Sequence, residues 1–120
     1  AGGNSFYLLN EIKKSGFDIV IEELINHGIV YIGASAGSCI ISPSIAHLTS
    51  LDHPEKAPQL TDFSALDFYP KLIVPHFGRE KYKARHEQIK KEYGDEVVFL
   101  RDDQAVIVND GKTNIVNIKG

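Results

Sequence analysis

The chain has 120 residues, 42% of them hydrophobic, with 13 basic and 16 acidic side chains and a formal charge of −3. That is one small domain with enough apolar material for a core. Acidic and basic residues are interleaved, so nothing points to nucleic acid or a charged membrane surface; no apolar run approaches the ~20 residues of a bilayer span, and no signal-peptide pattern opens the sequence.

The first residues, Ala1-Gly2-Gly3-Asn4, read as a turn between a strand and a helix, and the sequence contains no methionine. We therefore read residues 1–120 as a single α/β domain that forms the C-terminal portion of a larger one, with further strands expected before Ala1. Ser5 is the expected cap of a first helix through Leu8, Leu9 and Ile12, closed by Gly16. Asp18 is the expected cap of a second, through Val20, Ile21, Leu24 and Ile25, closed by Gly28. Ile29 to Ile32 is a continuous apolar run of the kind found in strands covered on both faces.

A short apolar segment, Cys39-Ile40-Ile41, stops near Pro43, and residues 47–62 carry the turn-forming composition of a long loop. Leu72-Ile73-Val74 is a buried strand ended by Pro75. Lys81 to Tyr93 is a charged surface helix closed by Gly94, and Val97 to Leu100 is a third strand. Ala105–Val108 and Asn114–Ile118 flank Asp110-Gly111, a strong hairpin signal. The alternation predicts an α/β fold with a mainly parallel sheet and an antiparallel C-terminal hairpin.

The chemistry centres on Gly33-Ala34-Ser35-Ala36-Gly37. G-x-S-x-G between a strand and a helical segment is the pattern of a nucleophile elbow. The small residues let a sharp turn approach neighbouring backbone, and free N–H groups at the start of the next segment could stabilise an oxyanion. The same residues would also suit a tight turn with no chemistry.

A serine needs a base. Of five histidines, His27 reads as a helix C-terminal residue, His47 and His53 as surface loop residues within reach of a substrate, and His86 as a solvated mid-helix residue. His76 differs, since it follows a buried strand at the sheet edge where α/β proteins bind ligands. The third partner is expected after the next strand, at Asp102 or Asp103, with Asp52, Asp62 and Asp67 as competitors and a turn-capping role as the bland alternative.

Gly2-Gly3-Asn4-Ser5-Phe6, Tyr31 to Gly37, Ala65-Leu66-Asp67-Phe68-Tyr69-Pro70 and Pro75-His76-Phe77 together resemble the dipeptidase E (aspartyl dipeptidase) family of serine peptidases, which includes the cyanophycinases. The resemblance implies a flavodoxin-like or class I glutamine amidotransferase-like sandwich lacking its first strands here. It implies a triad of Ser35, His76 and Asp102 and an oxyanion hole from the backbone of Gly3 (with Gly2 next to it) and Ala36; Gly2, Asn4 and His47 are candidates for substrate contact. Residues 44–50 lack the Arg and Asn that aspartyl dipeptidases carry there, so a preference for an acidic substrate is not implied.

The expected activity is cleavage of short peptides without cofactor or metal. The partner is a small peptide, with no nucleic acid and no membrane; a homodimer is compatible with the sequence. The single cysteine, Cys39, allows no internal disulfide and fits a reducing cytoplasm. Three rivals stand beside this reading. An α/β-hydrolase-type esterase would need the order Ser, Asp, His; an amidotransferase-like domain would use Cys39; an inactive α/β binding module would keep only the fold.

Overall fold

A computed structural model describes residues 4–109 and 112–117. Helix α1 runs Ser5–Ser15 and α2 Phe17–Asn26; strand β1 is Tyr31–Gly33 and helix α3 Ala36–Cys39. After a long irregular segment with two short 3₁₀ turns come β2 (Leu72–Phe77), α4 (Lys83–Tyr93), β3 (Val97–Arg101), β4 (Gln104–Asn109) and β5 (Lys112–Asn117).

Asn4, not Ser5, caps α1: its side chain accepts the Tyr7 N–H. Ser5 is instead the first helical residue, and its N–H is taken by the Asp52 carboxylate at 2.9 Å. Both bonds satisfy amides that have no partner inside the helix. Gly16, at φ 78°, ends α1 and also stands at the cap position of α2, where Asp18 was expected. Only a residue without a Cβ adopts that conformation at no cost, so one glycine turns the chain between two helices.

The strands form two sheets, β1-β4-β5 and β2-β3, and only the second is parallel, so the expectation of one mainly parallel sheet is corrected. β2 and β3 pair in parallel, whereas β1 pairs antiparallel with β4, and β4 antiparallel with β5. β4 and β5 pair antiparallel as expected of the two runs that flank Asp110-Gly111, which itself lies outside the described residues. The core between these layers includes Phe6 and Leu9 of α1, Ile40, Ile41, Ile45 and Leu48 behind α3, and Ile73 and Leu100 of the parallel pair. Each such side chain, fully buried, is worth about 1.5–3 kcal/mol of transfer free energy.

Two expectations about burial are corrected. The run at residues 29–32 is not covered on both faces: Ile29 and Val30 precede the strand, and Ile32 is 65% exposed. Phe17, Ile19, Val20 and Leu24 of α2 are exposed as well, because only Ile21 and Ile25 face the core. Conversely, His47 and His86 are buried, not surface residues, each 4% exposed. His47 belongs to a 3₁₀ turn packed under β2, with Nε2 2.8 Å from the Ile73 carbonyl oxygen. His86 sits on the inner face of α4 among the rings of Phe77, Tyr82 and Phe99.

β2 does not stop at Pro75. It continues to Phe77, but its register with β3 slips: Val74 faces Phe99 and Phe77 faces Arg101. Three steps along β2 therefore match two along β3, which inserts one extra residue at Pro75-His76. His76 takes φ 63° there. A bulge of this kind re-aims a side chain out of the alternation of a regular strand.

Candidate active site

Three chain segments converge at the C-terminal ends of β1, β2 and β3. Ser35 lies between β1 and α3 with φ 52° and ψ −123°. For a residue with a Cβ this costs on the order of 1–3 kcal/mol, so surrounding structure must impose it. Three contacts do so. The Ser35 carbonyl accepts the Ser38 hydroxyl at 2.6 Å and the N–H groups of Ser38 and Cys39 at 3.0 and 3.1 Å.

Gly33 is required by the same turn. A Cβ built on it would stand 2.5 Å from the Gly37 carbonyl oxygen, which is backbone and has nowhere to go. That oxygen also accepts the Tyr31 hydroxyl at 2.5 Å. Burial of this phenol, with the neighbouring Cys39 adding to it, pushes the Tyr31 pKa up to about 12, so it stays a donor.

His76 carries its ring to this turn. Ser35 Oγ and His76 Nε2 are 3.4 Å apart, a long contact of the sort that shortens when a substrate is bound. The other ring nitrogen, Nδ1, is 2.6 Å from Asp102 Oδ1. The imidazole is stacked on Tyr82 at a centroid distance of 5.8 Å and an interplanar angle of 22°. Asp102 follows β3, and its second oxygen accepts from Arg79 Nε at 2.5 Å. The bond to His76 first, and then that to Arg79, hold the carboxyl below the usual carboxylate range although it is largely solvated.

The competing acids are elsewhere. Asp103 pairs with Arg101 Nε at 3.1 Å, so Asp102 is the carboxylate on the imidazole. Asp62 accepts from the backbone and hydroxyl of Ser64. Asp67 sits at φ 59° with its N–H on the Ser42 carbonyl. Asp52 binds the N-terminus of α1 and borders the cavity of about 160 Å³ in front of Ser35, together with His76, Tyr82, His86 and Leu51.

Ala36 is buried and borders this cavity at the first residue of α3. Gly2 and Gly3 lie outside the described residues. Asn4 is occupied structurally: its Oδ1 caps α1 and its Nδ2 donates to the His53 carbonyl. His47 is not among the residues bordering the cavity; its ring lies beneath β2. Cys39 is fully buried at the end of α3, and burial pushes its thiol up to about 12, far from a nucleophile's range. Among the described residues no group of His, Cys, Asp and Glu is arranged to hold a metal ion, and no helix is long and apolar enough to cross a membrane.

Sequence reasoning did not single out Arg79 or Tyr82. A basic residue three positions after His76, reached through Gly78, was the available signal for the first; nothing local marks the second as a stacking partner.

The structure thus brings a hydroxyl on a constrained turn, an imidazole against it and a carboxylate behind the imidazole together on a mixed α/β scaffold. Comparison with known proteins places the chain more closely. It belongs to peptidase family S51, whose sequence model matches residues 1–116. An uncharacterized peptidase of Listeria innocua is 37% identical over 94% of this chain and 59% of its own length. An uncharacterized peptidase of Pasteurella multocida is 34% identical, and a peptidase E of Escherichia coli is 40% identical over 75% of this chain and 40% of its own. A crystal structure of a candidate peptidase E protein from Listeria monocytogenes superposes with a TM-score of 0.86 at 32% identity, over 98% of this chain and 58% of that one. The chain thus spans somewhat more than half the length of the first of these relatives.

Proposed function

We propose that the protein of which these residues form a part is a serine peptidase that hydrolyses short peptides through Ser35, His76 and Asp102. Ser35, on a nucleophile elbow, attacks the carbonyl carbon; His76 Nε2 takes the hydroxyl proton and returns it to the leaving amine. Asp102 fixes the tautomer with the proton on Nδ1 and stabilises the imidazolium as it forms. The Ala36 N–H, with that of Gly3, is the proposed donor to the tetrahedral oxyanion; losing one such donor typically costs about 3 kcal/mol of barrier. Water then releases the acyl group by the same steps in reverse roles.

The single observation that carries this reading is the continuous chain of contacts from Ser35 Oγ through both nitrogens of His76 to Asp102, at 3.4 and 2.6 Å. Family membership supports the peptidase class. The order along the chain, Ser, His, Asp, is not that of an α/β-hydrolase esterase. The single buried thiol agrees with a cytoplasmic setting. A fluorophosphonate probe reacts only with an activated serine, so the complete protein should label at Ser35 and Ser35→Ala should not. Labelling that survives the substitution removes Ser35 from the mechanism.

A further inference from the structure

We propose that Arg79 is a positioning residue for the proposed triad: its guanidinium fixes the carboxylate of Asp102 in the plane in which it receives His76. The proposal rests on the triad reading above. Asp102 has a side chain one methylene shorter than glutamate, stands in the turn after β3 and is 45% exposed. Held by the imidazole alone, such a carboxylate could rotate about its Cβ–Cγ bond and exchange its partner for water. It is held at two points instead. Oδ1 meets His76 Nδ1 at 2.6 Å and Oδ2 meets Arg79 Nε at 2.5 Å, so each oxygen has its own charge-assisted donor.

The backbone route that brings Arg79 there is specific. After the bulge at Pro75-His76, Gly78 takes φ 94° and the Arg79 N–H returns to the His76 carbonyl at 3.2 Å. One turn thus delivers the imidazole and the guanidinium to the same carboxylate from the same strand end. Arg79 also borders a cavity of about 170 Å³ with Ser35, His76, Asp102 and Gln104. Of the other titratable groups nearby, Arg101 of β3 is engaged by Asp103, Asp52 accepts the Ser5 N–H across the cavity, Lys81 lies 4.9 Å from the Tyr82 ring that stacks on His76, and His86 of α4 is buried, which holds its ring below the ordinary imidazole range.

Two opposed effects follow. The guanidinium orients Asp102, which favours proton transfer. It also offsets part of the carboxylate's charge, which makes the imidazole easier to deprotonate. Removing Arg79 should therefore slow the reaction and move the acidic limb of its pH profile to higher pH. Arg79→Lys keeps the charge but lacks the planar Nε–H geometry, so it should slow the reaction and leave the limb in place.

The experiment is the rate of fluorophosphonate inactivation of the complete protein against pH, for wild type, R79A and R79K. It needs no knowledge of the natural substrate. The expectation is a loss of up to about a hundredfold in R79A with the limb displaced upward, and an intermediate rate in R79K with the limb of wild type. Rates within twofold of wild type, or a slower R79A whose limb has not moved, overturn the proposal. If R79A does not fold, a wild-type rate in R79K overturns it and a reduced rate on an unmoved limb supports it. A wild-type protein that fails to label at Ser35 defeats the triad reading itself, which distinguishes the two failures.

Discussion

The rim at the ends of β2 and β3 and the outer face of α2 are both rich in isoleucine, leucine and valine, yet they meet opposite fates. At the rim Ile73, Val74 and Leu100 are sealed, and the charged and polar groups of the site stand on that sealed floor. On α2 and the approach to β1, Ile19, Val20, Leu24 and Ile29 face outward. Apolar composition alone did not decide between them. What decides is an opposing layer: β2 has β3 beside it and α4 and α3 against it, whereas outward positions of α2 meet no other described element. Positions at the rim are therefore geometrically fixed, and those on α2 should tolerate change.

The largest test of that contrast is chemical. Asp102→Asn preserves the shape of the rim and alters the tautomer, so kcat of the complete protein should fall by about 10⁴-fold with little change in urea stability. Activity near wild type would mean the rim is scaffold only. Next is the floor itself. Leu100→Ala should cost about 2–5 kcal/mol in urea unfolding, because the cavity it leaves cannot collapse between two paired strands.

Gly33→Ala follows, at about 1–3 kcal/mol, since the added methyl must displace the Gly37 backbone; labelling at Ser35 should fall with it. The fourth test uses pH. Burial holds His47 and His86 below the ordinary imidazole pKa. The unfolded chain, with imidazoles near ~6.5, then binds protons that the folded one excludes. Stability is thus fully present above about pH 6.5 and declines below it, by up to about 1.4 kcal/mol per pH unit for each ring. His47→Gln should flatten that slope in urea titrations at pH 7 and pH 5; an unchanged slope would clear His47 of the effect. The smallest expected change is Ile19→Lys on the open face, within about 0.5 kcal/mol in this chain. A larger loss would show that the face is not tolerant.

Much of this was legible from residue order, because local rules acted where local geometry rules. The hairpin of β4 and β5 followed from Asp110-Gly111 between two apolar runs, the parallel pair from the alternation of strand and helix, and the convergence of Ser35, His76 and Asp102 from strands that each end in a chemically capable residue. The failures share one cause, that long-range packing overrode a local pattern. Pro75 looked like a strand terminus, but β3 accommodates it through a bulge. His86 looked solvated among Lys83, Arg85 and Glu87, but its face of α4 turns onto Phe77 and Phe99. His47, in a loop, is buried because that loop folds beneath β2. Asp52 gave no local sign that it would bind the start of α1, 47 residues away.

The burial of Cys39 four residues behind Ser35 has a practical sequel. The thiol is protonated and sealed while the protein is folded, so a thiol-modifying reagent reaches it only in molecules whose interior has transiently come apart. Its alkylation rate therefore counts excursions of the layer on which Ser35 is mounted, and the chain carries, in its lone sulfur, a clock for that breathing.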